Sequence, residues 1–398
     1  MNQELILHVI RDRGPLSRTE IARETGLSKP TVNEVVELLL AGTYVLETDG
    51  GDRPRRPGPR ARLLTFRADL GHVLGLDVGA DKAVAAVADL SGRIVATERR
   101  RVSEQARSGQ AALLRELRAV AAAALARAGV ERSSLRAAGV GTPGVVDPET
   151  GRITLAPQLA GWEGLALGTE LERSLGCPVV ADNETHLSLI AEQWHGAARD
   201  VADALYVQVG VGIGGAILVG GEIHRGAKGA AGEIGYLLTD EDPEAPEFGS
   251  GPFEWAAGGR AYARLGSRAA ATPEGALLRE LAGGDPGAVD AATVFAAHAR
   301  GDAAARAIVD LLVGRLARGV ATIATVLNPE LVILGGGVSN AGAALLEPVE
   351  RVVRERVPVP PRLVLSELGD ESVALGAVRL AMDRADERLF AFAAATTT

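Results

Sequence analysis

The sequence is short of cysteine, of aromatic residues, of positive charge and of long apolar runs. Its one cysteine, Cys177, excludes a disulfide framework and any multi-cysteine zinc site, and suits a reducing compartment. Aromatic residues make up only 3% of the 398 positions, yet 47% are hydrophobic, enough for large cores and more than one domain. A net charge of −9 excludes a molecule coated in basic surface, so any contact with DNA must come from a local positive patch. No apolar run reaches the roughly 18 residues of a membrane span. The opening MNQELILHVIRDRG mixes charges into its apolar positions, unlike a secretory leader. A soluble, cytoplasmic protein is the expectation. The first helical pattern begins almost at Met1, which leaves room for a longer natural chain upstream.

Leu5, Ile6, Val9 and Ile10 recur at helical spacing until Gly14-Pro15 stops the helix. Ser17 and Glu20 form an S-x-x-E capping box that opens a second helix, with Ile21 and Ala22 inward and Gly26 at its end. Ser28 caps a third helix, with Pro30 in its first turn, where a missing N–H costs nothing. Val32, Val35, Val36 and Leu39 form the inner face of that helix. Helix, tight glycine turn, helix resembles the helix-turn-helix of bacterial repressors, in which the N-terminal side chains of the second helix meet base edges. Here those are Ser28, Lys29, Thr31 and Asn33. The following YVLETDGGDRPRRPGPRARLLTF reads as two strands around a loop carrying Arg53, Arg55, Arg56, Arg60 and Arg62. Such a loop suits the phosphate backbone or a narrow minor groove. The alternatives are a small helical dimerisation module and a solvated linker. Residues 1–70 are expected to form a winged helix-turn-helix DNA-binding domain.

From His72 the pattern changes to strands and glycine turns. HVLGLDVGADKAVAAVADLSGRIVATE has the signature of a hairpin, and a similar unit returns at DALYVQVGVGIGGAILVGGEIHRGAKG. Two hairpins of like length, each opening a long segment, suggest an internal duplication and two α/β lobes facing across a cleft. Glycine turns let backbone N–H groups converge on an anion. Candidates are Gly79 in the first turn, with Lys82 as a point charge and Asp77 beside it, and Gly210, Gly212, Gly214 and Gly215 in the second. A third glycine loop, Gly335, Gly336 and Gly337, follows the strand of NPELVILGGGVSN.

GLDVGADK, GVGTPGVVD, ADNETHLSLIAEQW, GVGIGGAILVGGEIHRGAKGAAGEIGY and VILGGGVS, in that order from about His72 to about Met382, resemble the ROK family of repressors and sugar kinases. The winged head resembles the family's repressor branch, which includes xylose and N-acetylglucosamine regulators. The resemblance implies an α/β body with a two-lobed actin-like (sugar kinase / ribonuclease H-like) fold over residues 71–398. Lobe I would span about 71–190 plus the C-terminal helix, and lobe II about 191–365. In the family's kinases an Asn-Asp pair holds a sugar hydroxyl and the Asp is the base. That pair falls here on Asn183 and Glu184, so the carboxylate is kept but lies one methylene farther out, and a misplacement of about 1 Å can cost on the order of a hundredfold. The family's next Asn aligns with His186, which suggests packing or a supporting hydrogen bond.

The resemblance further places Glu233 and Glu254 as sugar ligands, Tyr236 where many members have a His that contacts sugar and zinc, and Gly141, Thr142, Pro143 and Gly144 in the turn that closes over the sugar. The lesser alternative for Glu233 and Glu254 is acids on surface loops. The family's cysteine-rich zinc loop is replaced by LLTDEDPEAPEFGSGPFEWAAGG, which contains no Cys and no His, so zinc is expected to be absent. The usual Gly-Gly-Thr-Lys turn is GADK, and Asp81 sets an anion near the expected phosphates, so neither ATP nor Mg²⁺ is expected. The expectation is a sugar-responsive repressor without kinase activity, whose partners are an operator, a sugar and a second or further copy of itself as a homodimer or homotetramer. The alternatives are an active sugar kinase with an added DNA-binding domain, and a platform for a partner protein.

Overall fold

The computed structural model describes residues 2–49, 62–79, 82–102, 109–157, 159, 161–238 and 249–395. The N-terminal head comprises α1 (Asn2–Arg13), β1 (Leu16–Ser17), α2 (Arg18–Thr25), α3 (Lys29–Ala41), β2 (Val45–Asp49) and β3 (Arg62–Phe66). Local chemistry sets its boundaries. Ser17 and Glu20 complete a capping box on α2, Gly26 ends that helix at φ 70°, and Ser28 caps α3 through the Thr31 N–H. Val32, Val35, Val36 and Leu39 are buried against Ile6, Leu7, Ile10 and Ile21. The inner face of α1 is rotated from the expected one. Leu7 is buried, Leu5 is 41% exposed and Val9 is only partly covered. Positions 5, 6, 7, 9 and 10 are all apolar, so spacing alone left the helix phase open. The short β1 was not foreseen; it pairs antiparallel with β3 in a sheet of order β1-β3-β2. Arg53, Arg55, Arg56 and Arg60 lie outside the described residues, between β2 and β3.

The first lobe runs through β4 (His72–Val78), β5 (Lys82–Asp89), β6 (Ile94–Arg101), α4 (Gln110–Ala128), β7 (Leu135–Thr142), β8 (Val145–Val146), β9 (Ile153–Leu155), α5 (Leu167–Leu175) and β10 (Val179–Asn183). Helix α6 (Glu184–His195) leads into the second lobe, which opens with β11 (Ala204–Val209), β12 (Ile213–Val219) and β13 (Glu222–Ile223). There follow α7 (Pro252–Ala257), α8 (Gly259–Ala270), α9 (Ala276–Leu281), α10 (Ala291–Ala299) and α11 (Ala303–Leu327). The lobe closes with β14 (Leu331–Gly335), α12 (Ala343–Arg356) and β15 (Arg362–Leu365), and α13 (Ser372–Ala395) returns to the first lobe. The sheets have the orders β10-β7-β4-β5-β6 and β13-β12-β11-β14-β15. Numbered within its own lobe, each sheet holds the order third, second, first, fourth, fifth, so the duplication suggested by the two hairpins is present in the topology. No helix among the described residues is long and apolar enough to cross a membrane.

The first sheet is covered on both faces, which explains its nearly continuous apolar strands. Leu74, Leu76 and Val78 face the core containing α4, while Val73, Val84 and Ala137 face Ala374, Val378 and Met382 of α13. Helix α13 comes unusually close because Gly75 and Gly139 present no Cβ: a methyl there would overlap the carbonyl oxygens of Ala374 and Ala377. Its own Gly376 sits against the Leu187 carbonyl of α6 in the same way. A Gly376→Ala substitution gains about 1 kcal/mol of helix propensity but forces two backbones apart at about 1–3 kcal/mol. The clash is expected to win, because a carbonyl oxygen has no rotamer to yield. Thermal unfolding of this variant should therefore show a Tm lowered by a few degrees; a raised Tm would contradict the packing of α13 on α6.

Candidate functional site

In the head, Lys29 and Asn33 are exposed on the first turns of α3. Ser28 and Thr31 are occupied locally: the two hydroxyls lie 2.8 Å apart and Ser28 Oγ accepts the Thr31 N–H at 3.3 Å. Their part is to build the helix start, and Lys29 and Asn33 are the side chains it presents. Arg62, on β3 at the base of the wing, donates to Glu47 Oε2 across the hairpin at 2.8 Å.

The cleft is organised where β10 becomes α6. Asn183 caps the helix, its Oδ1 accepting from the Thr185 N–H at 2.7 Å and lying 3.4 Å from that of His186, while its Nδ2 donates to the Gly144 carbonyl at 2.8 Å. Most of the hydrogen-bonding capacity that sequence reasoning reserved for a sugar hydroxyl is thereby spent on the fold. The turn after β7 is likewise a wall: Gly141, Thr142 and Pro143 are buried, Gly144 turns at φ 91°, and Thr142 Oγ1 donates to the Pro143 carbonyl at 3.1 Å.

Glu184 stands at the first turn of α6 and accepts from Gln208 Nε2 of β11 at 2.9 Å. Burial, with the charge of Asp77 next in weight, pushes its carboxyl up to about 8. Asp77, at the end of β4, is raised to about 6 by burial, although Lys82 Nζ lies 3.7 Å away. Glu254 of α7 is buried, with Oε2 accepting from the Ile213 N–H at 3.3 Å and Oε1 without a hydrogen-bond partner among the described residues. Glu233, half-buried, is raised by burial and then by Glu254, partly offset by His186. Tyr236 is 43% exposed at the rim, its hydroxyl pushed up by burial and by Glu233 and Glu254.

Beneath these lies a charged brace that sequence reasoning missed. Asp182 Oδ2 takes Arg225 Nε and Nη2 at 3.0 and 2.7 Å, and its Oδ1 takes His186 Nδ1 at 2.9 Å. Burial pushes Asp182 up, but His186 and Arg225 outweigh it and hold the carboxyl below its ordinary range. The brace joins β10 of one lobe to the segment after β13 of the other. His186 thus has the supporting role its position suggested.

The glycine turns differ from the phosphate cradles expected. The Gly210 N–H donates to the Gly212 carbonyl, and the Gly210 carbonyl accepts from the Gly259 N–H. Gly214 and Gly215 lie within β12, paired with Gln208 and Val207. Their lack of Cβ admits neighbours: Gly212 the Glu254 carboxylate, Gly214 the Thr185 methyl, Gly215 the Gly232 carbonyl. Gly335 ends β14 against the Tyr206 ring, Gly336, at φ 84°, packs against the Val209 backbone, and Gly337 has open space beside it. In the first turn the Gly79 N–H donates to the Lys82 carbonyl, and Lys82 Nζ donates to Asp370 at its carbonyl, 3.0 Å, and its Oδ1, 3.2 Å. Arg99 holds the other oxygen of Asp370 at 2.8 Å. Asp81 lies outside the described residues. No group of three or more His, Cys, Asp or Glu among the described residues is arranged to hold a metal ion.

A winged-helix head joined to a duplicated α/β body with a cluster of acids from both lobes defines the class: a MarR-type DNA-binding domain fused to an actin-like, sugar-kinase fold. Residues 2–53 match the MarR family and residues 73–384 the ROK family. The chain belongs to the ROK family. A xylose repressor of Caldicellulosiruptor bescii is 27% identical over 387 residues, 96% of this chain and 95% of that one. A glucokinase of Halalkalibacterium halodurans is 32% identical over 251 residues, 62% of this chain and 76% of the relative. The solved structure of a ROK family transcriptional regulator, a homolog of the E. coli MLC protein, shares the fold with TM-score 0.76 over 98% of each chain at 23% identity.

The buried acids make stability depend on pH in a stated direction. Glu184 keeps its proton in the fold up to about 8 and loses it near 4.5 when unfolded, so its contribution is complete below 4.5 and is lost as pH rises through 8. Glu184→Gln removes that loss. The variant should melt several degrees above the parent at pH 8.5 and within a degree or so of it at pH 5; equal shifts at both pH values would contradict the protonated Glu184.

Proposed function

We propose that the chain is a sugar-responsive DNA-binding transcriptional regulator, a repressor of carbohydrate uptake or metabolism genes, released by a sugar bound between the lobes. The head carries a helix whose exposed first turns suit base edges, and the full-length likeness to a xylose repressor supports a sugar as the signal. Glu233, Glu254 and Glu184 suit a polyol, because vicinal hydroxyls donate two hydrogen bonds to one carboxylate. Glu254 Oε1, buried and unpaired, is the acceptor best placed to gain from such a ligand.

The observation that favours a regulator over a kinase is the occupation of Lys82. The basic group of the first turn is bound by Asp370 and faced by Asp77, so anions already stand where a nucleotide would bring its phosphates. These residues do not fit ATP, and we derive no step through it. Zinc is no part of the proposal, since the loop after Tyr236 offers no thiolate or imidazole. The glucokinase relative and the retained carboxylate favour the second reading, an active kinase; ADP release with a hexose, abolished by Glu184→Ala, would establish it.

Sugar binding is proposed to favour one arrangement of the lobes and so change the spacing of paired heads in a homo-oligomer, where half-sites lie about one helical turn apart. A near-complete reversal of occupancy requires a differential affinity of roughly 5 kcal/mol. Anisotropy of labelled operator DNA tests both halves of the proposal. A saturating effective sugar should lower affinity at least tenfold, and the proposal fails if every sugar that binds leaves it unchanged. Lys29→Ala or Asn33→Ala should relax sequence preference, whereas Arg55→Ala with Arg56→Ala should weaken all sequences alike and reduce the salt slope by about one per lost phosphate contact. Equal loss of preference from both sets would contradict this division of roles.

A further inference from the structure

One helix reaches from the cleft to the head. Just before α13, Asp370 holds Lys82 and Arg99 of the first hairpin; in its first turns Val373 packs on Gly141, and Gly376 on the Leu187 carbonyl of α6. About 21 Å farther along the axis, at 1.5 Å per residue from Ser372, Asp386 meets the head. Arg11 Nη1 donates to both Asp386 oxygens at 3.0 and 2.8 Å, and His8 Nε2 lies 3.0 Å from Oδ2. These groups are enclosed: the side chains of Arg11 and Asp386 are 4% and 11% exposed. A guanidinium withdrawn from water needs its carboxylate, so the pair resists separation and fixes direction as well as distance. Asp383, just under one turn earlier on α13, also feels the charges of Asp386, Arg11 and His8. Phe66 packs on both the head core and the α13 core, the Leu90 N–H donates to the Ala68 carbonyl, and Arg136 Nε donates to the Leu70 carbonyl.

We propose that Arg11 and His8 of α1, with Asp386 of α13, are positioning residues that seat the DNA-reading head on the last helix of the sensor and pass the state of the cleft to it. The inference rests on the sugar-sensing role proposed above. Ligand contacts near Glu184 and the first hairpin bear on α6 and Asp370, both of which grip α13. The helix is packed too tightly against the sheet to absorb a shift by bending, so a displacement at its start is delivered at Asp386. There the buried Arg11–Asp386 pair turns it into a rotation of α1, against which α3 is packed.

The test uses the full chain, an operator selected from random-sequence DNA, and D-xylose, D-glucose and N-acetyl-D-glucosamine as probes. In Asp386→Asn, the active sugar should bind within twofold of the parent, while its effect on operator affinity should fall from at least tenfold to nearly none. An undiminished effect overturns the proposal. Arg11→Lys, which keeps the charge but shortens the reach and loses the rigid guanidinium that also holds Asp12, should give an intermediate effect and serves if Asp386→Asn does not fold. If none of the sugars binds the parent, the sensing role fails by itself, and hydrogen exchange without ligand then decides the coupling. Asp386→Asn should raise exchange in α1 and along α13 as far as its first turn, whereas a change confined to α1, or absent, overturns it.

Discussion

A carboxylate taken out of water must be paired or keep its proton, and the cleft is governed by how each of its acids meets that requirement. Asp182 is paired twice, by Arg225 and His186, and becomes a strut between the lobes. Asp370 is paired with Lys82 and Arg99. Glu184, whose donor among the described residues is the amide of Gln208, is pushed up to about 8 by burial. Glu254 has one oxygen on the Ile213 N–H and the other unpaired. The positive charges are thus committed to structure, and what is left facing the cleft is hydrogen-bonding capacity for neutral hydroxyls. That distribution suits a receptor for a polyol better than a site for transferring an anionic phosphoryl group.

The duplicated fold makes such a receptor able to move. Each lobe has its own sheet in the same strand order, and few elements cross between them. Helix α6 carries the cap Asn183 and Glu184 at the crossing, and α13 lies along it with Gly376 admitting the close approach. A ligand held by groups from both lobes, as proposed, would therefore act on the same two helices that lead to the head. The glycines of GVGIGGA serve this geometry as well, by letting Glu254, Thr185 and the Gly232 backbone close on β11 and β12.

Much of this was legible in the amino-acid order because it is local. Ser17 with Glu20, Gly26, Ser28, and the Val32, Val35, Val36 and Leu39 face fold as their spacing implies. The family motifs singled out Glu184, Glu233 and Glu254, which lie near enough for Glu233 to bear on the charge of Glu184 and Glu254 on that of Glu233. What stayed hidden depends on distant partners: Asp182 with Arg225, 43 positions apart, Lys82 with Asp370, 288 apart, and Arg11 with Asp386, 375 apart. No periodicity marks such pairs. For the same reason Asn183 looked like a free ligand, when its Nδ2 is taken by the Gly144 carbonyl, 39 positions away.

The most direct measurement of the central claim is calorimetric titration of the full chain with a panel of free sugars and sugar phosphates, with and without Mg-ATP. The account predicts that a neutral sugar binds, with the same affinity in the presence and absence of Mg-ATP, and that Glu254→Gln weakens it by tenfold or more. Binding that appears only with Mg-ATP, accompanied by release of ADP, would contradict it and make the cleft a kinase site.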